Sequence, residues 1–334
     1  MNTTAVVILN FNGRDFLEKF LPTLNKYSQG TRLVVADNAS TDDSVSWMQH
    51  HWPEIELVIL EENYGFAGGY NEALKRVSAD YYLLINSDVE VTPDWTVPLI
   101  GFLDDHPNYA CAQPKIKAYQ EKDHFEYAGA AGGFVDSLGY PYCRGRIFDE
   151  LEADVGQYNE TMDIFWSTGA CMIIRTELFH QYGGFDSDFF AHMEEVDLCW
   201  RLQNAGWKVA CVVESTVYHV GGGTLSKTNP RKTYLNFRNS LAVITKNLPF
   251  AQLIWKLPLR IGLDLLAALV FWKTNSFGHC RAVTRAIGHF LMSFSNHFAK
   301  RKTMKPWRKA SAPLSGRAVI FDFFVLGKKR FSDL

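Results

Sequence analysis

The chain has 334 residues, 47% of them hydrophobic and 21% charged, enough for one large domain or two ordinary ones around a packed core. Its net charge of −2 hides a split: residues 1–214 hold 14 Lys/Arg against 33 Asp/Glu, and residues 215–334 hold 20 against 3. The acidic part argues against a nucleic-acid partner, and six scattered cysteines with no C-x-x-C pair exclude a disulfide framework or a Cys-rich zinc site.

The cysteines fit buried packing residues in a reducing compartment. Ala5–Leu9 enters a strand pattern at once, with no basic leader ahead of it, which argues against a signal peptide. Val6–Asn10 reads as a short buried strand. Asn12-Gly13 then turns the chain into an amphipathic helix with Phe16, Leu17, Phe20 and Leu24 on one face. A second strand, Leu33–Ala36, ends in Asp37, and a helix follows over 41–52, capped near Thr41 or Asp42. A third strand covers Glu56–Leu60. Gly65–Gly69 reads as a glycine-rich turn into a helix at Tyr70–Ser78, and the fourth strand, Tyr81–Asn86, ends in Ser87-Asp88. Strands alternating with helices predict βαβ units, an α/β class and a mainly parallel central sheet. Residues 101–160 carry many glycines and weak periodicity and yield no assignment. Trp166–Arg175 reads as a further strand, and Val209–Val213 and Thr216–His219 as extended chain.

The C-terminal part differs in character. Segments 250–272 and 284–299 are apolar and aromatic, and neither reaches the roughly 18 uninterrupted apolar residues of a spanning helix. In the second, Ile287, Phe290, Leu291, Phe294 and Phe298 share one helical face between Arg281 and Arg285 on one side and Lys300, Arg301 and Lys302 on the other. That is the pattern of a helix lying in a membrane interface; a helical hairpin packed on the rest of the chain is the alternative. The interleaved apolar faces favour an anionic membrane surface over nucleic acid. The chain thus divides at residues 1–245 and 246–334.

Polar residues cluster just past the carboxyl ends of the predicted strands: Asn10 and Asn12, Asp37 and Asn38, Asn63 to Gly65, Asn86 to Asp88. Open α/β sheets bind ligands at that edge. Asp37 can accept hydrogen bonds from a base or ribose, or simply close a strand-to-helix turn. The tract Asn63–Asn71, with Gly65 and Gly68, offers backbone N–H groups at a helix start, suited to phosphate. Asp88 ends an apolar strand, and a hard cation on a diphosphate needs only one or two protein oxygens. Glu90 points the other way along that strand. Further on, Glu194, Glu195 and Asp197 lie among Phe189, Phe190, Met193, Leu198 and Trp200. A carboxylate at a helix start in partly apolar surroundings suits a general base.

In this order and spacing, the tracts Val6–Gly13, Ala36–Asp42, Gly65–Asn71, Asn86–Val91, Ser167–Cys171, Gly183–Asp186, Glu194–Arg201 and Asn236–Leu241 resemble the family 2 glycosyltransferases of the GT-A (Rossmann-like) fold, rhamnosyltransferase-like members above all. The resemblance covers residues 4–245. It implies transfer of a sugar from a nucleoside diphosphate donor with Mg²⁺ or Mn²⁺. Asp37 then matches the acid that reads the nucleobase or ribose, and Gly65–Gly69 the loop beside the nucleotide. Asp88 matches the last acid of the D-x-D motif, with Asn86 where the first Asp stands. Glu195 matches the catalytic base of an inverting displacement, with Glu194 before it, while Asp197 orients Arg201 or caps the helix. His219, ahead of the run Gly221–Gly223, matches a metal-binding His, and Arg238 is a diphosphate contact or a structural ion pair. By the same resemblance Trp166, Thr168, Gly169, Asp186 and Glu194 border the acceptor. The resemblance further implies a lipid-linked or cell-surface glycan acceptor at the cytoplasmic face of the inner membrane, with dTDP-rhamnose as donor. The alternative is a non-catalytic, membrane-docked carbohydrate-binding scaffold on the same fold.

Overall fold

The computed structural model describes residues 2–221, 229–305 and 309–334, so Gly222 and Gly223 lie outside the described residues. The first half alternates as expected: β1 (Thr4–Asn10), α1 (Arg14–Tyr27), β2 (Arg32–Asp37), α2 (Ser44–His51), β3 (Glu56–Ile59), α3 (Gly65–Leu74) and β4 (Tyr81–Asn86). Then come β5 (Val89–Val91), α4 (Thr96–Asp105) and β6 (Tyr109–Ala118). Short strands β7 (Gly133–Val135), β8 (Pro141–Cys143), β9 (Arg146–Ile147) and β10 (Glu150–Leu151) form a separate antiparallel meander. Residues 101–160 therefore hold a helix, a long central strand and a second sheet. β11 (Met162–Ile164), β12 (Cys171–Arg175), α5 (Thr176–Gln181), α6 (Glu194–Asn204) and β13 (Lys208–His219) complete the sheet region.

The main sheet runs β11-β13-β6-β12-β4-β1-β2-β3, with β5 paired to β13. The pairs β1–β2, β1–β4, β2–β3 and β6–β13 are parallel; β12, β11 and β5 run antiparallel to their neighbours. β1 sits centrally, so both its faces are covered and Val6, Val7 and Ile8 are fully buried, which is why that strand reads as a continuous apolar run. Val6 and Ile8 pack with Leu17, Leu21 and Leu24 of α1 on one side. Ala5 and Val7 pack with Tyr70 of α3 and Leu198 of α6 on the other.

Three local expectations change. The glycines are not a turn ahead of α3 but its first turns. Gly69 lies so close to the sheet that a Cβ would meet Leu9 and the Asn38 side chain at 3.0 Å. The strand expected from Trp166 begins only at Cys171, because Ser167–Ala170 is a loop. The two extended pieces before and after Ser215 form one strand, β13, with an irregularity between Val212 and Thr216.

The C-terminal chain forms α7 (Pro230–Asn247), α8 (Phe250–Lys273), α9 (Phe277–Met304) and α10 (Val319–Phe324). Residue 245 falls inside α7, so the expected division cuts a helix. The apolar face assigned to the membrane on α9 mostly turns inward: Phe290 and Ile287 are buried with Leu241 and Ile244 of α7, and Phe294 and Phe298 pack against the same core. Among the described residues no helix is long and apolar enough to cross a membrane. The chain after α9 returns to the body, where Ser315 N donates to Val135 O (2.9 Å) and Ala312 N to Asn204 Oδ1 (3.0 Å).

Candidate active site

The carboxyl ends of β1, β2 and β3 are tied into one floor. Asn10 Nδ2 donates to Asp37 Oδ2 (2.9 Å), and Asp37 Oδ1 accepts from Ser40 N (2.8 Å). Asn12, at φ +51°, accepts from Thr41 N through its side-chain oxygen (2.7 Å). Asn38 links the next loop: its Nδ2 donates to Asn63 Oδ1 (3.1 Å) and Gly65 O (3.0 Å). These short polar side chains replace backbone partners where strands end, so their cluster at one edge follows from the fold as well as from any ligand. Asn10 and Asp37 are buried, and Asn10 Oδ1 has no hydrogen-bond partner.

The start of α3 does not offer the N–H cradle expected of it. Gly65 N donates to Asn63 Oδ1 (2.9 Å), and Phe66 N and Ala67 N both donate to Phe190 O (2.7 and 3.2 Å). Gly65, at φ +73°, is required because a Cβ there would lie 2.6 Å from that same carbonyl. The glycine tract thus docks the loop ahead of α6 onto α3.

β5 pairs with the end of β13, His219 opposite Val89, and so brings His219 beside Asp88. His219 Nε2 lies 3.2 Å from Asp88 Oδ1, its Nδ1 lies 3.2 Å from Glu126 Oε2, and Asn86 Nδ2 is 3.5 Å from Nε2. Burial opposes charge on this imidazole, but Glu126 and Asp88 outweigh it and raise its pKa to about 10. Burial likewise pushes the Asp88 and Glu126 carboxyls up, and the His219 imidazolium more than offsets this, holding both below the usual range. Glu126 had no signal in the sequence: it lies in the stretch without periodicity, far from His219 along the chain. Glu90 turns away, as its strand pattern requires, and accepts from Lys122 (2.7 Å).

The loop Ser167–Ala170 joins this cluster to the acidic helix. Asn86 N donates to Ala170 O (3.0 Å), and a side chain on Gly169 would press on Phe66 and approach Glu194 Oε1. Thr168 is buried, its N donating to Gln113 Oε1 (2.9 Å). Trp166 is buried too; its indole N–H donates to Phe134 O (2.9 Å) and its ring covers Gly133, which leaves no face for a sugar.

Glu194 and Glu195 open α6 after a stretch in which Phe190, His192 and Met193 all have positive φ (64°, 69° and 74°). Such backbone is held only when its surroundings determine it. Here α7 does so. Asn239 Nδ2 reaches the carbonyls of Phe189, Ala191 and His192 (3.1, 3.0 and 2.7 Å). Arg238 Nη2 donates to Asp188 O and Phe189 O (2.9 and 3.0 Å). Arg238 is therefore a clamp on this loop rather than a group extended toward a diphosphate. Asn239 is its stronger half, and only its place in Asn236–Leu241 hinted at it.

The Oε2 atoms of Glu194 and Glu195 are both shielded and lack hydrogen-bond partners. Burial, then the neighbouring Glu195 charge, pushes the Glu194 carboxyl well up. Burial raises Glu195 to about 7, against the N–H groups of the helix start that favour its charge. Asp197 has the opposite surroundings: burial would raise it, but Lys246 and Arg201 hold it low, with Lys246 Nζ at 2.7 Å, Arg201 Nε at 2.9 Å and Asn247 Nδ2 at 2.8 Å. It orients Arg201, as expected, and anchors α7 as well. Asp186 is also engaged: its two oxygens accept from Lys246 and Lys300, each at 2.5 Å, so this carboxylate ties α7 to α9 and is not open to an acceptor.

Among the described residues no three His, Cys, Asp or Glu side chains form a metal cage. Among the described residues the Asp88–His219 pair is the candidate: a divalent ion would take the place of the proton on His219 Nε2, and two protein ligands suffice when a diphosphate supplies the rest.

A family model described as glycosyl transferase family 2 matches residues 5–183, which carry the floor and Asp88. The chain is 26% identical over 233 residues to an N-acetylglucosaminyl-diphospho-decaprenol L-rhamnosyltransferase of Mycobacterium tuberculosis, covering 64% of this chain and 75% of that protein. It is 24% identical over 210 residues to the rhamnosyltransferase WbbL of Escherichia coli, covering 60% and 77%. In fold it is similar to GalNAc-T7 solved with UDP, GalNAc and Mn²⁺ (TM-score 0.56, 16% identity, 74% of this chain and 48% of that one). It is similar also to the mannosyltransferase PcManGT of Pyrobaculum calidifontis with GDP-Man and Mn²⁺ (TM-score 0.53, 14% identity, 92% and 84%). The chain thus spans about half the length of GalNAc-T7. With a GT-A-like sheet, polar strand ends and a family match over more than half its length, this chain belongs to glycosyl transferase family 2, and its activity is that of a glycosyltransferase.

Proposed function

We propose that the protein transfers a sugar from a nucleoside diphosphate donor to a hydroxyl of a lipid-linked glycan, with inversion, and that the sugar is rhamnose from dTDP-rhamnose. The observation that carries the mechanism is the Glu195 carboxylate. It lies at a helix start with one oxygen unpartnered and a pKa of about 7, where a group can accept a proton at neutral pH and return it afterwards. Glu195 takes the proton of the acceptor hydroxyl. The acceptor oxygen bonds to the anomeric carbon while the bond from that carbon to the diphosphate oxygen breaks on the opposite face. Glu194, pushed well up by burial, stays protonated and so does not repel the ionised Glu195. Asp37, with Asn10 and Asn12, holds the nucleoside, and Asp88 and His219 face its diphosphate. Asp88 and His219 would hold Mg²⁺ or Mn²⁺, which would offset charge on the leaving diphosphate.

The names of the relatives support rhamnose and a polyprenyl-diphosphate-linked acceptor, and Mn²⁺ in the fold neighbours supports a divalent ion. An acceptor of that kind is compatible with a reaction at the cytoplasmic face of the inner membrane, which is where this reading sets it. The test is a donor panel of UDP-, GDP- and dTDP-sugars with Mg²⁺ or Mn²⁺ and a polyprenyl-diphosphate-linked GlcNAc acceptor. Nucleoside diphosphate release from dTDP-rhamnose, lost in Glu195→Gln, supports the reading. Release from a different donor replaces rhamnose. Silence with every donor, together with no nucleotide binding by calorimetry, refutes it in favour of a binding scaffold.

A further inference from the structure

α8 is inside out. Lys256, Arg260 and Asp264, one turn apart, face the protein, while its last residue, Lys273, is exposed; Arg260 and Asp264 are each only 1% exposed. Arg260 Nη1 donates to Leu138 O (3.0 Å), its Nη2 to Ser240 Oγ (2.8 Å), and Tyr140 OH donates to Asp264 Oδ1 (3.2 Å). These buried contacts fix the rotation of the helix, since turning it would strip Arg260 and Asp264 of partners. The outward face then carries Ile254, Trp255, Leu265, Leu266, Leu269 and Trp272, each between 45% and 60% exposed. A surface helix of a water-soluble body shows the reverse arrangement. A second exposed apolar group is anchored to the hairpin that α8 also uses. α10 and the residues after it present Phe321, Phe324, Val325 and Leu326, and Val319 N donates to Asp136 Oδ2 (3.0 Å) in the same β7–β8 hairpin that receives Arg260.

We propose that the outward face of α8, together with the exposed α10 segment, docks onto an anionic lipid surface. Charge selects lipid over a second copy of the chain. Among the described residues of α7, α8 and α9 the only carboxylate is Asp264, which is buried, whereas Lys273, Arg281, Arg285 and Lys302 are exposed. A two-fold contact through this face would set cations against cations, whereas anionic headgroups complement them. Trp255 and Trp272, near opposite ends of α8, are the side chains that favour the headgroup level. The helix lies along such a surface rather than through it.

The inference stands on the helix and not on the reaction proposed above, so the variants' nucleotide binding separates the two. The full chain would be sedimented with vesicles of phosphatidylcholine, with and without phosphatidylglycerol, across a salt series. Binding to the anionic vesicles is expected, weakening with salt, and about tenfold or more weaker in Leu266→Glu/Leu269→Glu. Lys273→Glu/Arg281→Glu should remove most of the salt dependence. All of these side chains are exposed, and unchanged circular dichroism and nucleotide binding would show the variants folded. Vesicle binding equal in wild type and Leu266→Glu/Leu269→Glu overturns the proposal. So does absence of vesicle binding, whether the chain sediments as a monomer or as a dimer that the same variant dissociates; the dimer would assign the face to a second copy.

Discussion

At the scale of single residues, chemistry rests on environments that the side-chain type alone does not give. Glu194, Glu195 and Asp197 are three carboxyls within one helical turn, yet burial raises the first two while Lys246 and Arg201 overcome burial at the third. A base must be ionised to accept a proton, and Glu195 is protonated below about 7. Turnover at saturating donor should therefore rise with pH and level off above about 7, as a pH–rate profile will show. Glu195→Gln should lower kcat by about 10²–10⁴-fold with little change in donor affinity. Glu126 has a positioning role, fixing the His219 ring so that Nε2 faces Asp88. Glu126→Gln should weaken Mn²⁺ affinity by about 10–100-fold, read by calorimetry on the nucleotide complex, while nucleotide binding without metal stays as it was.

At the scale of elements, α7 governs the site without lining it. Through Asn239 it satisfies three carbonyls of the left-handed stretch ahead of α6, and through Lys246 it meets Asp186 and Asp197. Asn239→Ala removes that donor from Ala191 O and His192 O, and from Phe189 O, which keeps Arg238, and should cost about 1–3 kcal/mol in urea denaturation. Its kcat should fall more than its donor affinity, because the displaced residues carry Glu194 and Glu195. Lys246→Met takes one cation from each of two buried carboxylates, which keep Lys300 and Arg201, and should cost about 1–3 kcal/mol by the same measurement. The pH dependence has a definite sign. Burial would raise Asp186, but Lys246 and Lys300 hold it below its ordinary 3.8, so this clamp stabilises the fold above that pH and fails as pH falls below it. Acid unfolding of wild type should therefore begin near there, and the Lys246→Met variant should show a flatter dependence.

At the scale of the whole molecule, the charge split maps onto structure. The acidic part builds the sheet and the cleft, and the basic part builds a helical layer whose buried face completes the same core. Val283 and Phe290 of α9 share a cluster with Leu198 of α6 and Val7 of β1. A chain ended at residue 245 would cut α7 before Lys246 and Asn247, remove both partners of Asp197 from that helix, and expose the core under α9. It should fail to unfold cooperatively in urea, whereas two independent domains would leave residues 1–245 with a normal transition.

The amino-acid order alone determined the parallel half of the sheet, β1 to β4, and the polar residues at its strand ends. Apolar runs of strand length alternate with helical periodicity; β1, β2 and β4 end in Asn10, Asp37 and Asn86, and Asn63 follows β3 by a few residues, so β1 to β4 and the floor of Asn10, Asp37 and Asn63 were legible locally. The likeness of eight ordered tracts to a known family carried the rest of the site into view, including His219 and Glu195. Tertiary structure alone decided what each polar group faces. Asp186 and Arg238 read as ligand contacts until Lys246, Lys300 and the carbonyls of Asp188 and Phe189 come into place around them. Glu126 had no reading until β13 brought His219 to it. The two C-terminal helices also exchanged roles: α9 has the cleaner apolar stripe and buries it, while α8 turns Lys256, Arg260 and Asp264 inward and its apolar side out. Periodicity reports that a helix has two faces; which face meets the protein depends on the hydrogen-bond partners waiting there, and for Arg260 and Asp264 those are supplied by Leu138, Tyr140 and Ser240, distant in the chain.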